Sequence, residues 1–447
     1  MKLKKQNDRV VYTGDVCEKL LWGYVQFPKL YAMRNGNIGL YIHDDDDSWV
    51  SLDPYICGKW LVTEDKGLTW RKAEKADIDM MGTVLPSGDV LRQRPNGPVS
   101  LKGVEPGPWV FGPYHIPTDN LVPEKSNDVH KLPARITTYG DALENFYGVY
   151  WLDTMPDGLV EKRFSFNRLK NGETENKITF SEVKWNYRTI LDFKPGHTNR
   201  TDLEPLMLSE SGLYACRDIK VAPDGSLYIA EYKPAGANPF TGVYEGKCNS
   251  YILRSVDNGE SWEIQGYIPY QPDEEKDKLA NLKAGFSEPC IDFMPDGSIL
   301  CILRTCDVFH GAPEWGPTYL SRSYDGGKTW SKPEYFKDRG ALPQLLQLKC
   351  GATLAVVTRP GIYVYASYDS GKTWTECVEV MTGDDRSKLM NKPPVRPDFH
   401  EWAGSCCNCT IQPLSDNKAL LAYSDFYVPD ENGVKRKGIK TREIVVE

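Results

Sequence analysis

Four copies of one octapeptide decide the fold of this chain of 447 residues. The copies are TEDKGLTW at 63–70, SVDNGESW at 255–262, SYDGGKTW at 323–330 and SYDSGKTW at 367–374. The third residue of each copy is an aspartate, whose side chain can accept hydrogen bonds from the N–H groups of a tight turn. The fifth is a glycine, which can adopt positive φ, and the eighth is a tryptophan, which can pack between neighbouring sheets. The four copies therefore predict the same stiff β-hairpin at four places in the chain.

A second unit alternates with the octapeptide. It consists of an apolar strand, a tight turn rich in Pro, Asn, Asp and Gly, and another apolar strand. Clear copies lie at 28–43, 219–232, 290–305, 344–359 and 410–425, and less regular ones at 82–94 and 149–164. One such unit followed by an octapeptide hairpin makes a four-stranded antiparallel sheet. A ring of these sheets protects most strand edges, as in a β-propeller.

Counting the units predicts an all-β protein, a six-bladed β-propeller in a single domain over 1–447. We place its blades near 20–72, 78–190, 205–265, 280–335, 340–378 and 400–447. The stretch LVPEKSNDVHKLP at 121–133 indicates an insertion near 100–135. The N-terminal segment 9–15 is expected to pair with 441–447 and close the ring, and helices are expected to be few and short.

Composition excludes several classes of partner. The formal net charge of −8 is spread along the chain, so no basic face for nucleic acid or an anionic membrane is indicated. No run reaches the roughly 18 apolar residues of a membrane span, and no apolar segment follows the basic start, so a cytoplasmic protein is predicted. The 12 cysteines, with Cys406, Cys407 and Cys409 almost adjacent, are predicted to be reduced and packed rather than bound to zinc. No metal site and no cofactor are predicted.

The octapeptide resembles the Asp-box of the sialidase (neuraminidase) superfamily, and the resemblance covers nearly the whole chain. It implies the six-bladed propeller, whereas the reaction has to be inferred from other residues. Sialidases bind the substrate carboxylate with an arginine cluster and use a tyrosine nucleophile, a glutamate that activates it and an aspartate acid/base. Glu288 in GFSEP, with the strand that ends at Arg304, resembles the family's Glu–strand–Arg segment, and Arg359 resembles a second arginine of the cluster. Such an arginine can clamp an anionic group bidentately.

Two positions depart from the family pattern. Gln26, in VQFP, stands where the first arginine is expected, and its amide can donate a hydrogen bond but carries no charge. Asn408 stands where the tyrosine is expected and cannot serve as that nucleophile. The uncharged Gln26 argues against a sialic-acid carboxylate in the family's usual place. The missing tyrosine favours an inverting hydrolysis, in which Glu288 or another carboxylate activates water opposite the acid. That route needs carboxyl groups about 6.5–9.5 Å apart.

The resemblance places the catalytic acid in a loop shortly before the first octapeptide. Asp53, in SLDP, is the first candidate for the acid/base, followed by Asp46 or Asp47. The last two belong to the acidic run 44–47, for which a solvated loop or a cation site is the alternative. Crowding of like charges would raise the pKa of a carboxyl group of this run held inside the pocket.

Further candidates are expected on the same face of the propeller, at strand ends or in loops that can overhang the pocket. Histidines there can act as general acid or base, and tryptophans can stack on a sugar ring, although ordinary packing and surface roles are open to all of them. The strand-end candidates are His43, Glu231 and Asp425, and the loop candidates are His310, Trp315, His400, Glu401 and Trp402. Among them, His400 and Glu401 are predicted to be catalytic, and His43, Glu231 and Trp402 to bind the substrate.

Three functions are compatible with these residues. The first is an exo-acting glycosidase that removes a terminal, acidic, sialic-acid-like sugar. The second is a propeller that binds carbohydrate without turnover, consistent with the replacements at Gln26 and Asn408. The third is a polysaccharide lyase or another sugar-modifying enzyme, with His400 or His43 as base. In each case the partner is a carbohydrate, and the sequence does not indicate an oligomeric state.

Overall fold

The chain folds as a six-bladed β-propeller, as the repeats predict. The computed structural model describes residues 2–16, 23–44, 58–94, 98–100, 148–151, 163–184, 190–195, 206–210, 214–215, 219–233, 236–237, 244–245, 247–283, 285–306, 316–374, 376–382 and 408–447. Within these residues six antiparallel blades of four strands form the ring. The outer strands of blades two and three also pair in parallel, Val183 opposite Trp262, so these two blades form one continuous sheet. No helix in the described part of the chain is long and apolar enough to cross a membrane.

The first half of the chain forms blades one and two and a separate sheet. The N-terminal strand is β1 (Leu3–Val16), and blade one contains β2 (Gln26–Ala32), β3 (Ile38–His43), β4 (Gly58–Thr63) and β5 (Arg71–Lys72). A short helix, α1 (Lys75–Asp79), precedes blade two, which contains β6 (Thr83–Val84), β7 (Val90–Arg94), β10 (Arg163–Leu169) and β11 (Lys177–Lys184). The separate sheet contains β8 (Pro98–Ser100), β9 (Gly148–Trp151), β12 (Ile190–Pro195) and β13 (Leu206–Glu210).

The second half forms blades three to six. Blade three contains β16 (Leu227–Lys233), paired on its inner edge with β14 (Tyr214–Ala215) and β15 (Lys220–Val221), then β19 (Asn249–Ser255) and β20 (Ser261–Ile268). A small hairpin of β17 (Gly236–Ala237) and β18 (Tyr244–Glu245) and a 3-10 turn (Ala280–Leu282) accompany it. Blade four contains β21 (Gly285–Phe293), β22 (Ile299–Cys306), β23 (Thr318–Ser323) and β24 (Glu334–Lys337). Blade five contains β25 (Gln344–Gln347), β26 (Thr353–Thr358), β27 (Ile362–Ser367) and β28 (Glu376–Met381), and blade six contains β29 (Cys409–Ser415), β30 (Lys418–Pro429), β31 (Lys435–Val446) and β1.

The hydrophobic core lies between adjacent blades. Successive residues of a strand face opposite sides of its sheet, so a strand covered on both sides is apolar throughout. Strand β26 shows this: Leu354 and Val356 pack in the cluster shared with blade six, whereas Ala355 and Val357 pack in the cluster shared with blade four. Clusters shared by two blades lie at five of the six junctions. At the junction of blades one and two, the cluster joins blade-one residues to Ala73, Ile78, Met80 and Met81 of the segment around α1. The ring is therefore held together by burial at every junction.

Each of the four octapeptides forms the same kind of hydrogen-bonded turn. In blade four the Asp325 carboxylate accepts bonds from the backbone N–H groups of Lys328 and Thr329 and from the Thr329 hydroxyl, at 3.1, 2.9 and 2.6 Å. The hydroxyl of Ser323 donates to Asp325 and accepts from the Gly327 N–H, both at 2.8 Å. The other three turns repeat the bonds made by the first, third, fifth and seventh residues of the octapeptide.

Three expectations about strand boundaries are wrong. Segment 149–164 is not one strand–turn–strand unit, because β9 lies in the separate sheet and β10 in blade two. Segment 206–210, expected in blade three, also belongs to the separate sheet, where β13 pairs with β8 and β12. The N-terminal strand pairs with β31 as expected but in another register: Arg9 faces Thr441 and Val16 faces Arg436. The insertion expected near 100–135 lies outside the described residues except for its first residue.

Asp325→Asn is expected to lower the melting temperature at about pH 6 and to have a smaller effect at about pH 3. Hydrogen bonds from Thr329 lower the pKa of Asp325 from 3.8 to about 2. A carboxyl group whose pKa is lowered by folding stabilises the fold above its unfolded pKa, and this contribution is lost as the pH falls toward the folded value. Circular dichroism melts at both pH values measure the effect, with Asp416→Asn in an exposed turn of blade six as control. An equal loss at both pH values would contradict the expectation.

Candidate functional site

Two faces of the propeller carry different residues. In blade one Gln26 at the start of β2 faces His43 at the end of β3, and in blade four Ser287 near the start of β21 faces Arg304 near the end of β22. The octapeptide turns follow the third strands, which end at the opposite face. We call the face where the inner strands begin the site face.

The backbone of the site face is strained. Nine non-glycine residues among those described have φ between 44° and 63°, a region that bulky side chains rarely adopt. Three are in octapeptide turns and one is in β1, whereas the other five are at the site face: Val25, Phe27, Glu288, Leu342 and Arg359. Such strain costs on the order of 1–3 kcal/mol per residue and concentrates at binding and catalytic sites. This distribution identifies the site face as the candidate functional site.

Glu288 connects blades four and five. One carboxylate oxygen, Oε1, accepts a hydrogen bond from Arg304 Nη1 at 2.9 Å. The other, Oε2, accepts from the backbone N–H of Leu342 at 2.5 Å. A carboxylate engaged on both oxygens is well placed to orient the arginine and poorly placed to take a proton from water. The geometry therefore favours a positioning role for Glu288 over the role of base considered above.

Arg359 and Asn408 form a hydrogen bond between blades five and six. Arg359 is buried, and its Nη2 donates to Asn408 Oδ1 at 3.3 Å. Asn408 precedes β29, at the start of the inner strand. The residue at the expected nucleophile position thus holds an arginine of the site face.

Glu231 lies at the junction of blades two and three. Its side chain is fully buried, and Oε1 is 3.5 Å from Gln93 Nε2 at the end of β7. Strand β16 continues to Lys233, so Glu231 lies inside the strand rather than at its end. A fully buried carboxylate with an amide neighbour adds a polar group to this face.

Gln26 and His43 form the blade-one part of the site face. Gln26 is fully buried, and its Oε1 accepts from the Gly23 N–H at 2.6 Å and from Lys437 Nζ at 3.1 Å. The ring of His43 is half-buried, with Nδ1 at 3.2 Å from the Tyr41 hydroxyl. Among the described residues no hydrogen-bond partner is found for Gln26 Nε2 or for His43 Nε2.

Two acidic residues, one at a predicted strand end and one in the acidic run 44–47, form ion pairs with lysines. Asp425 lies inside β30, and its Oδ2 is 3.6 Å from Lys440 Nζ on the next strand outward. Asp44 Oδ2 is 3.0 Å from Lys59 Nζ, at the start of the acidic run. Within the described residues no group of three or more His, Cys, Asp or Glu side chains is placed to hold a metal ion.

Many of the loop candidates lie outside the described residues. They are Asp46, Asp47, Asp53, His310, Trp315, His400, Glu401, Trp402, Cys406 and Cys407. The catalytic roles assigned to Asp53, His400 and Glu401 remain predictions from the sequence.

A central cavity of about 480 Å³ lies among the inner strands of all six blades. Its wall includes Phe27, Leu342 and Cys409, which adjoin or contact Gln26, Glu288 and Asn408 respectively. Most of its other lining residues belong to the apolar middle of the inner strands. The charged groups of the site face thus lie around one end of the cavity rather than along its wall.

Sequence reasoning missed Lys437 and Leu342. Lys437 is fully buried at the junction of blades six and one, and Leu342 contributes only its backbone N–H. The alternation of β31 could have indicated Lys437, because residues 437, 439 and 441 share one face of that strand and Ile439 is a typical core residue. No sequence signal indicates the Leu342 contact.

Comparison with known proteins supports the fold and leaves the activity open. No family model matches the chain, and no curated protein matches it by sequence. A protein of unknown function from Dyadobacter fermentans is 16% identical, with a TM-score of 0.56 over 100% of this chain and 99% of that one. The K499G mutant of the NanB sialidase from Streptococcus pneumoniae is 13% identical, with a TM-score of 0.45 over 98% and 70% of the two chains. An α-L-arabinanase from Penicillium chrysogenum is 10% identical, with a TM-score of 0.45 over 98% of both.

Proposed function

We propose that the protein is an exo-acting glycoside hydrolase that removes a terminal acidic sugar. The observation that supports this most is the collection of buried charged and amide side chains on the strained site face, around one end of a cavity closed at its sides by six blades. Strain and buried polar groups persist where a ligand site needs them. A cavity of this size accommodates one sugar residue, which suits action at a chain end.

Two arginines are proposed to bind the anionic group of the substrate. Arg304 is oriented by Glu288 and Arg359 by Asn408, so both guanidinium groups are held before a ligand arrives. A preorganised guanidinium matches the geometry of a carboxylate and loses little freedom on binding it. The resemblance to sialidases points to the same kind of substrate.

Hydrolysis is proposed to proceed with inversion. Asp53 donates a proton to the glycosidic oxygen as the bond from that oxygen to the anomeric carbon breaks, and water forms the new bond to that carbon. A second carboxylate, for which Glu401 and Glu231 are candidates, takes the proton from the attacking water. His400 can serve as a proton carrier beside Glu401.

Asp53→Asn is expected to lower kcat by about 100-fold or more, because a positioned general acid contributes about that much. The measurement is release of the aryl group from a panel of aryl glycosides of neutral and acidic sugars, with proton NMR of the first anomer formed. Asp416→Asn is the control for the substitution itself. Full activity of the Asp53 variant would remove this residue from the mechanism.

A carbohydrate-binding propeller without turnover is the second candidate. The replacements at Gln26 and Asn408 favour it, because both positions hold neutral amides where the family has reactive or charged groups. Binding of an acidic sugar with no product from any glycoside would select this candidate. An unsaturated product that absorbs in the ultraviolet would indicate a lyase instead.

A further inference from the structure

The segment before β2 is built around one amide side chain. Gln26 lies between two residues with positive φ, Val25 at 53° and Phe27 at 46°, and its own side chain is fully buried. The strained positions on either side of Gln26 fix the direction in which its side chain leaves the backbone. The amide of Gln26 is therefore held in one place before any ligand binds.

Two donors fix the orientation of this amide. The Gly23 N–H and the Lys437 ammonium group both donate to Gln26 Oε1, at 2.6 and 3.1 Å. Reversing the amide would put its NH2 group against these two donors, so the oxygen has to face them. The Nε2 donors then point away from Lys437, and no acceptor for them is found among the described residues.

Lys437 brings a positive charge to this position from another blade. Its side chain is fully buried, its Nζ lies 3.4 Å from the carbonyl oxygen of Tyr24, and it lies over the ring of Phe426 at 4.7 Å from the centroid. A cation bound to the amide oxygen polarises the amide and makes its N–H groups stronger donors. Gln26 itself is uncharged, and the ammonium group of Lys437 supplies a positive charge on the side of its amide oxygen.

His43, on the neighbouring strand, has a second unsatisfied polar atom. It faces Gln26 in the register of β2 and β3, and the contact with Tyr41 leaves its Nε2 without a partner in the described part of the chain. Buried polar atoms of folded proteins are nearly always paired, so unpaired ones on two facing residues call for a ligand or water.

We propose that Lys437 is a positioning residue that makes Gln26 the third element of an anion-binding subsite, with a carboxylate of an acidic sugar as its ligand. The inference rests on the proposed function and specifies its substrate class. Lys437 does not touch the ligand. It fixes the amide through Oε1 and supplies the positive charge that favours an anionic acceptor over a neutral one.

The test compares ligands that differ only in charge. Dissociation constants of the full chain are measured by NMR titration for N-acetylneuraminic acid and for glucuronic acid, each beside its methyl ester. Lys437→Met is expected to weaken binding of the acids by about tenfold and to leave the esters unchanged. Lys435→Met, on an exposed position of the same strand, is expected to match the wild type.

Two further variants separate this role from a purely structural one. K437M/Q26R places a guanidinium at the front position and is expected to recover affinity for the acids. Gln26→Met removes the Nε2 donors, leaves Lys437 in place and is expected to weaken acid binding, which keeps the proposal testable if Lys437→Met does not fold.

The outcomes distinguish this inference from the proposed function. Equal acid affinity in the wild type and in Lys437→Met, or an equal loss for acids and esters, overturns the role of Lys437 and leaves hydrolysis standing. Binding of the acids with the expected loss in Lys437→Met, without turnover of any glycoside, overturns the hydrolase and supports the subsite. If the wild type binds neither acid, the subsite is refuted even if neutral glycosides are hydrolysed.

Discussion

Arg304→Ala is expected to lower kcat/KM on a carboxylated glycoside by about 1000-fold, the effect of removing a charged group that binds an anion in a largely buried site. The side chains of Arg304 and Glu288 are only 12% and 17% exposed, so little water competes for the guanidinium. The melting temperature is expected to fall less than for a core substitution, because Arg304 lies outside the apolar clusters of blade four. Steady-state kinetics on acidic and neutral aryl glycosides, with thermal melts, measure both effects.

Arg322→Ala is the matched control for this substitution. Arg322 belongs to the same blade and is 11% exposed, but its guanidinium donates to Ser298 Oγ and to the Ser370 carbonyl at the opposite face. Its loss is expected to reduce stability and to leave kcat/KM unchanged. A comparable loss of activity in both variants would mean that the Arg304 effect is one of stability. Normal kinetics in a well-folded Arg304→Ala would remove this residue from the site.

Much of the fold could be predicted because its information is local. Each octapeptide contains the aspartate, the serine or threonine and the glycine that make its turn, so its hydrogen bonds need no distant partner. The partner of a strand is not local, and this is why β9 and β13 were assigned to the wrong sheets. Their apolar residues are compatible with a blade or with the separate sheet, and only the pairing of β13 with β8 and β12 decides between these.

The site could be predicted only where the blades repeat. Glu288 and Arg304 were expected to meet because equivalent strands of equivalent blades end at the same face, and the two side chains are 2.9 Å apart. The orientation of Gln26 depends on Lys437, 411 residues further along the chain, and no local pattern relates the two. Contacts that join the first and last blades are the ones that sequence repeats do not encode.

Deleting residues 2–16 is expected to lower the melting temperature by more than about 10 °C, since it removes a whole strand of blade six and several kcal/mol of interactions. Strand β1 pairs with β31 from Leu3 opposite Val446 to Val16 opposite Arg436. Leu3 also packs in the cluster between blades five and six. The first blade follows this strand directly and the last blade contains it, so the deletion removes the covalent link that closes the ring.

Asp8 of β1 forms a cluster of polar contacts with the other strands of blade six. Its carboxylate lies 2.8 Å from Lys440 Nζ and 2.9 Å from Arg442 Nη2, and it accepts a hydrogen bond from the Tyr423 hydroxyl at 3.1 Å. Burial raises the pKa of Asp8, but the hydrogen bond and charge of Lys440 and the charge of Arg442 outweigh burial and hold the pKa below its usual range. Its contribution to stability is therefore present at neutral pH and lost as the pH falls through the lowered pKa.

Two point variants separate the charge of Asp8 from the strand that carries it. Asp8→Asn is expected to lower the melting temperature less than the deletion does, and its effect should shrink on acidification below about pH 4. Asp15→Asn, on the same strand with its side chain 53% exposed and 3.6 Å from Arg436, is expected to change little because exposed ion pairs contribute little. Differential scanning calorimetry of the three variants orders the effects. A truncated chain that melts within about 3 °C of the full chain would show that three strands of blade six suffice to close the ring.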